Sequence, residues 1–294
     1  MMKLLSFGEI VWDIYPDKKC LGGAPLNLAA HAFQHGADAW IALAIGNDNL
    51  GEIAMQQMKD LGVKTDYILV IPEKETGKCI VTLDQNALPT YDILSDTAYD
   101  CIKMPVLKER FDVIAFGTLA LRGNGNMETL SKILHAYSFA EVFTDLNIRP
   151  PFYTKKSILF CLENATVVKI SEEELPIIAE SIFNDVPCLE DALLHLANSF
   201  RQIKLFIITR GEHGACCFDC LKNQFYYCNA EPTEVVSTVG AGDSFGAAFL
   251  TQYLKGENFQ HCLAFASKIS SYVCSKKEAI PDGISKVIKS IVPD

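Results

Sequence analysis

The fold is decided by one short stretch, Ser237-Thr238-Val239-Gly240-Ala241-Gly242-Asp243-Ser244-Phe245-Gly246. Two glycines and an alanine stand directly before an apolar stripe at helical spacing, formed by Phe245, Ala248, Phe249 and Tyr253. The spacing predicts a helix that begins at this loop. A small-residue loop running into a helix is typical of an anion site, because the first amides of the helix are free and the helix end is positive.

Two functional roles follow for this loop. The amides of Gly240, Ala241 and Gly242 are predicted to point at one spot and form an anion hole. Asp243 lies in the first turn, where a negative charge is favoured, and is predicted to be a catalytic base that accepts a proton from an attacking hydroxyl.

Two alternatives compete with this interpretation. The loop could be a plain glycine turn with an acidic residue at a helix start. The spacing of Gly240, Gly242 and Gly246 could also mark a nicotinamide cofactor loop. That loop ends the first strand of a dinucleotide fold, and the roughly 50 residues that follow here are too few for the rest of such a fold.

Composition bounds the function classes. The chain has 294 residues, of which 49% are hydrophobic and 21% are charged, and this predicts a well-buried globular core. Acidic residues outnumber basic ones by 36 to 26, and the net charge of −10 disfavours nucleic acid and anionic membranes as partners. An anionic substrate must therefore meet locally arranged amides, cations or a metal.

The N-terminus and the cysteines indicate the compartment. The first residues read as a strand rather than a signal peptide, and no apolar run reaches the roughly 18 residues that span a bilayer. The count of eleven cysteines is odd, which favours reduced thiols and a cytoplasmic location. The cluster Cys216-Cys217-Phe218-Asp219-Cys220, with Cys228, could hold zinc, but its pattern favours a hairpin.

Apolar runs alternate with helical patterns along most of the chain. We predict strands at 4–10, 39–45, 111–116, 142–146, 166–170 and 205–209, and helices at 27–34, 50–61, 128–137, 172–180 and 191–199. This alternation predicts a doubly wound, mostly parallel sheet flanked by helices, with ligands at the carboxyl ends of its strands.

Two stretches break the alternation. Residues 11–20 and 78–93 read as extended, with a turn at Gln85-Asn86-Ala87, and do not fit a parallel sheet. We expect a small β lid formed by about 11–23 and 78–100, over a single domain that spans residues 1–294. Such a lid would exclude water from a reacting phosphoryl group and could pair strands in a homodimer.

A second motif, Gly22-Gly23-Ala24-Pro25-Leu26-Asn27-Leu28-Ala29, completes a resemblance. Together with residues 237–246 it resembles the two signatures of the ribokinase/PfkB carbohydrate kinase family, and the likeness spans essentially the whole chain. The resemblance implies a ribokinase-like fold, with Gly22 and Gly23 flexing with the lid and Asn27 binding sugar hydroxyls. An alternative role for Asn27 is to cap the helix that it opens.

The resemblance assigns further residues to the sugar and the magnesium ion. Asp13, in Glu9-Ile10-Val11-Trp12-Asp13 at the end of the first strand, is expected to bind sugar hydroxyls. Arg149, in Asp145-Leu146-Asn147-Ile148-Arg149-Pro150, offers bidentate donors to substrate or phosphate, or is a surface arginine braced by Asp145. Glu174 matches the glutamate that acts through water on magnesium, although Ser171 stands where asparagine is usual.

The nucleotide is expected near Lys169 and in the turn Thr209-Arg210-Gly211-Glu212-His213-Gly214, where Thr209, Gly211 and Gly214 match the family pattern. Ser237 replaces an aspartate that helps to hold a monovalent cation in the family, and Glu278-Ala279 replaces a Gly-Ala pair. We therefore expect no strong potassium requirement.

The resemblance implies an ATP- and magnesium-dependent sugar kinase. The segment Phe116-Gly117-Thr118-Leu119-Ala120-Leu121-Arg122, together with residues 145–150 and 23–27, is most similar to fructokinases. A 2-keto-3-deoxygluconate kinase, a ribokinase or nucleoside kinase, and a non-catalytic sugar-binding regulator are the alternatives. The absence of a G-x-x-x-x-G-K-[ST] motif excludes a P-loop enzyme.

Overall fold

Two β-sheets organise the chain across residues 1–83, 89–184 and 188–291, which the computed structural model describes. Their strands are β1 Lys3–Phe7, β2 Val11–Ile14, β3 Lys19–Gly22, β4 Asp38–Gly46, β5 Lys64–Ile71, β6 Lys78–Leu83, β7 Pro89–Ile93, β8 Val113–Phe116, β9 Glu141–Asp145, β10 Val167–Ser171, β11 Leu205–Thr209, β12 Ala215–Asp219 and β13 Gln224–Cys228.

Helices follow β3, β4, β8, β9, β10 and β13. They are α1 Ala24–Gln34, α2 Asn49–Asp60, α3 Asn124–Ala136, α4 Lys155–Asn164, α5 Leu175–Phe183, α6 Leu189–Ser199, α7 Ala241–Leu254, α8 Phe259–Cys274 and α9 Ile284–Ile291. Three short 3₁₀ turns lie at Ala98–Cys101, Leu119–Leu121 and Gly211–His213.

The large sheet has nine strands in the order β13-β12-β11-β10-β9-β8-β1-β4-β5. From β11 to β5 every neighbouring pair is parallel, whereas β12 and β13 join as an antiparallel hairpin at one side. Because the parallel strands all end at the same edge, the loops that follow them meet there.

Both faces of the large sheet are buried, as the doubly wound prediction requires. Neighbouring residues such as Leu4 and Leu5 lie in two separate apolar clusters, since successive side chains of a strand point to opposite faces. Residues of α1, α2, α7, α8 and α9 pack in the first cluster, and residues of α3, α4, α5 and α6 pack in the second.

Three helices begin three or more residues away from the predicted start. Helix α3 begins at Asn124 rather than Glu128, and the other two differ for a shared reason. Helix α1 begins at Ala24 rather than Asn27, and α5 begins at Leu175 rather than Glu172. In both α1 and α5 the second residue is a proline, which suits the first turn because its missing N–H needs no partner there. Asn27 therefore does not cap α1, and its side chain is available for another contact.

The small sheet has the order β3-β2-β6-β7, with β2 and β6 parallel and the outer pairs antiparallel. Its strands fall within the ranges predicted for the lid, and the later part of the second range holds the 3₁₀ turn at Ala98–Cys101 instead of a strand. The predicted turn at Gln85-Asn86-Ala87 lies outside the described residues. The lid boundaries and the single domain over 1–294 stay predictions.

The cysteine cluster takes the predicted hairpin form. Cys216 and Cys217 are buried on opposite faces of β12, so they cannot turn toward one ion. Within the described ranges, no group of three His, Cys, Asp or Glu side chains is placed to hold a metal. All eleven cysteines are free thiols. No described helix combines the length and apolar character needed to cross a bilayer.

The two glycines of the turn between β11 and β12 differ in what surrounds them. A Cβ on Gly214, at φ +86°, would lie 2.1 Å from the Cys228 carbonyl oxygen in β13, whereas a Cβ on Gly211, at φ +53°, would meet open space. We expect Gly214→Ala to lower the free energy of unfolding by ~3 kcal/mol or more, and Gly211→Ala by ~1–2 kcal/mol. Urea denaturation measures both, and equal losses would contradict this packing role for Gly214.

Candidate active site

Loops that follow five parallel strands surround two adjoining cavities, which share Asp145 and Asn147. The inner cavity is lined by Ser6, Glu9, Ala24, Pro25, Leu28, Phe116, Gly117, Thr118, Leu119, Phe143, Asp145, Asn147 and Asp243. The outer cavity is lined by Asp145, Asn147, Ile148, Arg149, Lys169, Ser171, Glu173, Glu174, Ile177, Thr209 and Gly242.

The loop before α7 reaches the boundary between the two cavities. Gly240 is the N-cap of α7 at φ +78°, and a Cβ there would lie 2.6 Å from the Ala279 carbonyl oxygen, so a side chain does not fit. The amide of Ala241 donates to the Thr238 carbonyl at 3.2 Å. Within the described chain the amides of Gly240 and Gly242 have no acceptor, so the predicted anion hole has two free amides rather than three.

Asp243 connects the two sequence signatures. Its Oδ2 accepts a hydrogen bond from Asn27 Nδ2 at 2.7 Å, across 216 residues of sequence. Burial raises the pKa of Asp243 to about 6, and Asp145 adds to this rise, while Asn27, Lys169 and Arg149 oppose it. The carboxyl is therefore largely ionised at neutral pH but close to its titration range, as suits a general base.

The Gly22-Gly23 turn packs directly on the end of the first strand. A Cβ on Gly23 would lie 2.8 Å from the Glu9 carbonyl oxygen, so the close approach of α1 to the cavity requires glycine here. Gly22 pairs with Val11 across β2 and β3 and lies beside Asp13. Burial raises the pKa of Asp13, and Arg149 opposes the rise. These residues border the site without lining either cavity.

A buried ion pair lies between the cavities. Lys169 Nζ donates to Asp145 Oδ2 at 2.7 Å, and both side chains are almost fully buried. Burial alone would lower the pKa of Lys169, but attraction to Asp145, Glu174 and Asp243 outweighs it and raises the pKa. Lys169 therefore stays charged and holds several carboxylates together. The alternative in which Asp145 braces Arg149 is wrong, because Asp145 pairs with Lys169 instead.

Glu174 is held by the backbone before α5. Its carboxylate accepts hydrogen bonds from the amides of Ile148 and Ser171, the latter at 2.6 Å. Burial, with Asp145 next, raises its pKa. Since both oxygens already have partners, Glu174 fits contact with magnesium through water better than direct chelation. Exposed Glu173 beside it adds oxygen donors at the same rim of the outer cavity.

The residues predicted for the nucleotide divide into two groups. Lys169 and Thr209 line the outer cavity together with exposed Arg149. Gly211 and Gly214 do not line it, and the carbonyl of Gly214 accepts from the Arg210 amide at 2.8 Å to close the turn.

Comparison with known proteins decides the family. The sequence profile of the pfkB family carbohydrate kinases matches residues 8–286. The chain belongs to this family. It is a pfkB family sugar kinase, and the family predicted from the two signatures is confirmed.

Individual relatives agree with this assignment. A fructokinase of Salmonella typhimurium is 27% identical over 266 residues, which cover 84% of this chain and 83% of the relative. Fructokinase from Vibrio cholerae O395, solved with fructose, ADP and calcium ion, matches 95% of each chain with a TM-score of 0.80 at 21% identity. An E. coli protein provisionally described as ribokinase II, solved with ATP and Mg²⁺, matches 99% of each chain with a TM-score of 0.82 at 20% identity. The predicted ribokinase-like fold class is confirmed.

Glu9, Asp145 and Asn147 line the cavities of this sugar kinase, although the sequence predicted no ligand for any of them. Each had a signal, because Asp145 ends an apolar strand and the other two lie two residues beyond the end of one. What the sequence could not give is which of these side chains point into the cavity and which pair with a neighbour.

The segment that holds Ala279 is fastened by side chains. His31 Nε2 lies 2.9 Å from the Ala279 carbonyl oxygen, and Gln34 Nε2 donates to the Pro281 carbonyl at 3.3 Å. Ser237 Oγ accepts from the Val239 amide at 3.2 Å. These contacts hold the segment through the chain's own groups, and the weak potassium requirement stays a prediction.

We expect Lys169→Met to lower the free energy of unfolding by about 3–5 kcal/mol, because it leaves Asp145 charged, buried and unpaired. Lys64→Met is the matched control. Lys64 pairs with Asp38 at 2.6 Å with 42% of its side chain exposed, and its loss should cost less than about 1 kcal/mol. Urea denaturation at neutral pH measures both variants, and similar losses would show that the buried pair has no special role.

Proposed function

We propose that the protein transfers the γ-phosphoryl group of ATP to a hydroxyl of fructose and forms fructose 6-phosphate, with Asp243 as catalytic base. The observation that carries the proposal is the hydrogen bond between Asn27 and Asp243. It brings the residue expected to bind sugar against the residue expected to take the proton, at the edge of the inner cavity.

The chemistry follows from the order of groups across the two cavities. Asp243 accepts the proton as the hydroxyl attacks in line. The free amides of Gly240 and Gly242, at the positive end of α7, stabilise charge on the transferring group. Lys169 and Arg149 supply positive charge on the outer side, where the phosphates of ATP would lie.

Magnesium would be held at the outer rim by Glu174 through water, with Glu173 nearby. When bound, it neutralises charge on the phosphates of ATP. Support for ATP and magnesium comes from the E. coli relative, which was solved with both.

Fructose is favoured by the Salmonella and Vibrio relatives, which are fructokinases, and by the fructokinase-like segments 116–122 and 145–150. A sugar acid such as 2-keto-3-deoxygluconate, and ribose, are the next candidates. A sugar-binding regulator has no need of a base such as Asp243, so turnover separates it from a kinase.

We also propose a cytoplasmic location and a homodimer. Eleven free thiols suit a reducing compartment. The small sheet ends in β3 and β7, whose outer edges have no partner strand within the described chain, so two copies could pair there. Sedimentation analysis tests the dimer.

The test of the proposed function is ADP release with Mg-ATP against fructose, 2-keto-3-deoxygluconate, ribose, tagatose and adenosine, each in sodium or potassium. Turnover confined to fructose, independent of potassium, supports the full proposal. Turnover on another sugar keeps the mechanism and changes the substrate. A folded protein that binds sugar but releases no ADP would instead be a regulator.

We expect Asp243→Asn to lower kcat by about 10²–10⁴-fold, because an amide cannot accept the proton. Binding of fructose and ATP should change little, since the asparagine oxygen can still accept from Asn27. Coupled ADP release and calorimetry measure the two effects. Asp66→Asn, at an exposed position in β5, is the control for loss of a charge. Retained turnover in the Asp243 variant would rule it out as the base.

The pH dependence should report the same residue. Because the active form of Asp243 is ionised and its pKa is raised to about 6, kcat/KM should fall as the pH drops through about 6. Asn27→Ala removes a hydrogen bond that favours the ionised form, so the fall should move to higher pH. Rate profiles from pH 5 to 8 measure both. If the fall in kcat/KM occurs at the same pH in the Asn27 variant as in wild type, Asp243 is not the group whose titration is observed.

A further inference from the structure

Glu9 is a buried acid that the mechanism above does not use. It lies two residues after the end of β1, is 3% exposed and lines the inner cavity with Asp243 and Asn147. Within the described chain its Oε2 has no hydrogen-bond partner. A buried carboxyl oxygen without a partner is unfavourable, so its presence calls for a ligand or a water.

Two other side chains near Glu9 share this feature. Tyr99 Oη and Arg122 Nη1 are buried and have no partner among the described residues. The Arg122 guanidinium lies 4.9 Å from the Tyr99 ring centroid, and its Nε and Nη2 donate to Asp100 at 2.7 Å. Glu9 is within electrostatic reach of both, since its charge adds to the raised pKa of each. Buried polar atoms without a partner among the described residues therefore come from three segments that lie within electrostatic reach of one another.

The charge of the inner cavity selects the chemistry of its ligand. Its charged lining residues are Glu9, Asp145 and Asp243, and no Lys, Arg or His from the described chain lines it. Arg149 reduces the pKa of both Glu9 and Asp243 but lines the outer cavity. These carboxylates would repel an anionic group on the substrate. Hydroxyl groups of an uncharged substrate can instead form hydrogen bonds with the carboxyl oxygens.

Building on the proposed kinase function, we propose that Glu9 is a specificity-determining residue that binds a sugar hydroxyl remote from the one phosphorylated. It thereby selects uncharged polyhydroxy sugars over sugar acids and sugar phosphates. Burial, followed by the charge of Asp243, raises the pKa of Glu9 to about 7. Near neutral pH the carboxyl can therefore both donate to and accept from a hydroxyl, which itself does both.

The test compares wild type with Glu9→Gln and Glu9→Asp, using fructose, 2-keto-3-deoxygluconate and fructose 6-phosphate as probes. Glu9→Gln keeps the size but removes the charge, and should raise KM for fructose roughly 10- to 100-fold with a smaller change in kcat. The ratio of kcat/KM for fructose to kcat/KM for each of the two anions should fall at least about tenfold. Glu9→Asp keeps the charge and shortens the reach, so it should weaken fructose while still rejecting both anions.

Glu128→Gln makes the same chemical change at an exposed position of α3 and should leave all constants unaltered. Unchanged KM and unchanged preference in folded Glu9→Gln would overturn the inference. A wild type that prefers either anion would also overturn it, while leaving the sugar kinase function intact.

Failure of the kinase proposal is recognised separately. If wild type turns over none of the three sugars, calorimetry of fructose binding without ATP decides the role of Glu9. Weaker fructose binding by Glu9→Gln, with wild-type binding by Glu128→Gln, supports the proposed role of Glu9. If Glu9→Gln binds fructose as tightly as wild type does, that role is overturned.

Discussion

The register between β9 and β10 sets the arrangement of charge on which the site depends. Lys169 lies directly opposite Asp145 in this parallel pair, so the ammonium and the carboxylate meet on the same face of the sheet. A slip of one residue would turn Lys169 to the other face and leave Asp145, Glu174 and Asp243 to repel one another in a buried space. The apolar residues of β10 oppose that slip, because Val167 packs in one core cluster while Val168 and Ile170 pack in the other, and a slip would turn each to the wrong face.

Glycines allow α1 and α7, which hold Asn27 and Asp243, to pack close to this buried ion pair. A Cβ on Gly246 of α7 would lie 3.3 Å from the Phe143 ring and 3.4 Å from Lys169 Cδ. The backbone of α7 therefore packs closely against side chains of β9 and β10. On the same face the N-cap of α1, Gly23, packs on the backbone just after β1, where a Cβ would lie 2.8 Å from the Glu9 carbonyl oxygen. Two helices far apart in sequence thereby place Asn27 and Asp243 in contact above the same strand ends.

The sequence was sufficient for the class of fold and for the neighbourhood of the site, because apolar periodicity and glycine positions are local signals. It placed β11 at its observed bounds and recognised the hairpin of β12 and β13. It placed no element at β5, α4, α8 or α9. In β5 and α4 the apolar run is only five residues long, at 67–71 and 158–162, and periodicity cannot assign so short a run to a strand or a helix. Contacts between residues that are far apart in the chain could not be predicted from the sequence. The choice of Lys169 over Arg149 as partner of Asp145, and the bond from Ala241 to Thr238, depend on strand register and turn geometry.

Asp13 belongs to the small sheet, whereas Asp243 and Arg149 lie on segments attached to the large one. A ligand that contacts both sides couples its own affinity to the relative position of the two sheets. The coupling is reciprocal. A change that stabilises this arrangement of the two sheets raises the affinity for the ligand, and ligand binding stabilises the arrangement by the same factor. Affinity for the ligand can thus be adjusted from the outer strands of the small sheet, without replacing any residue that the ligand contacts.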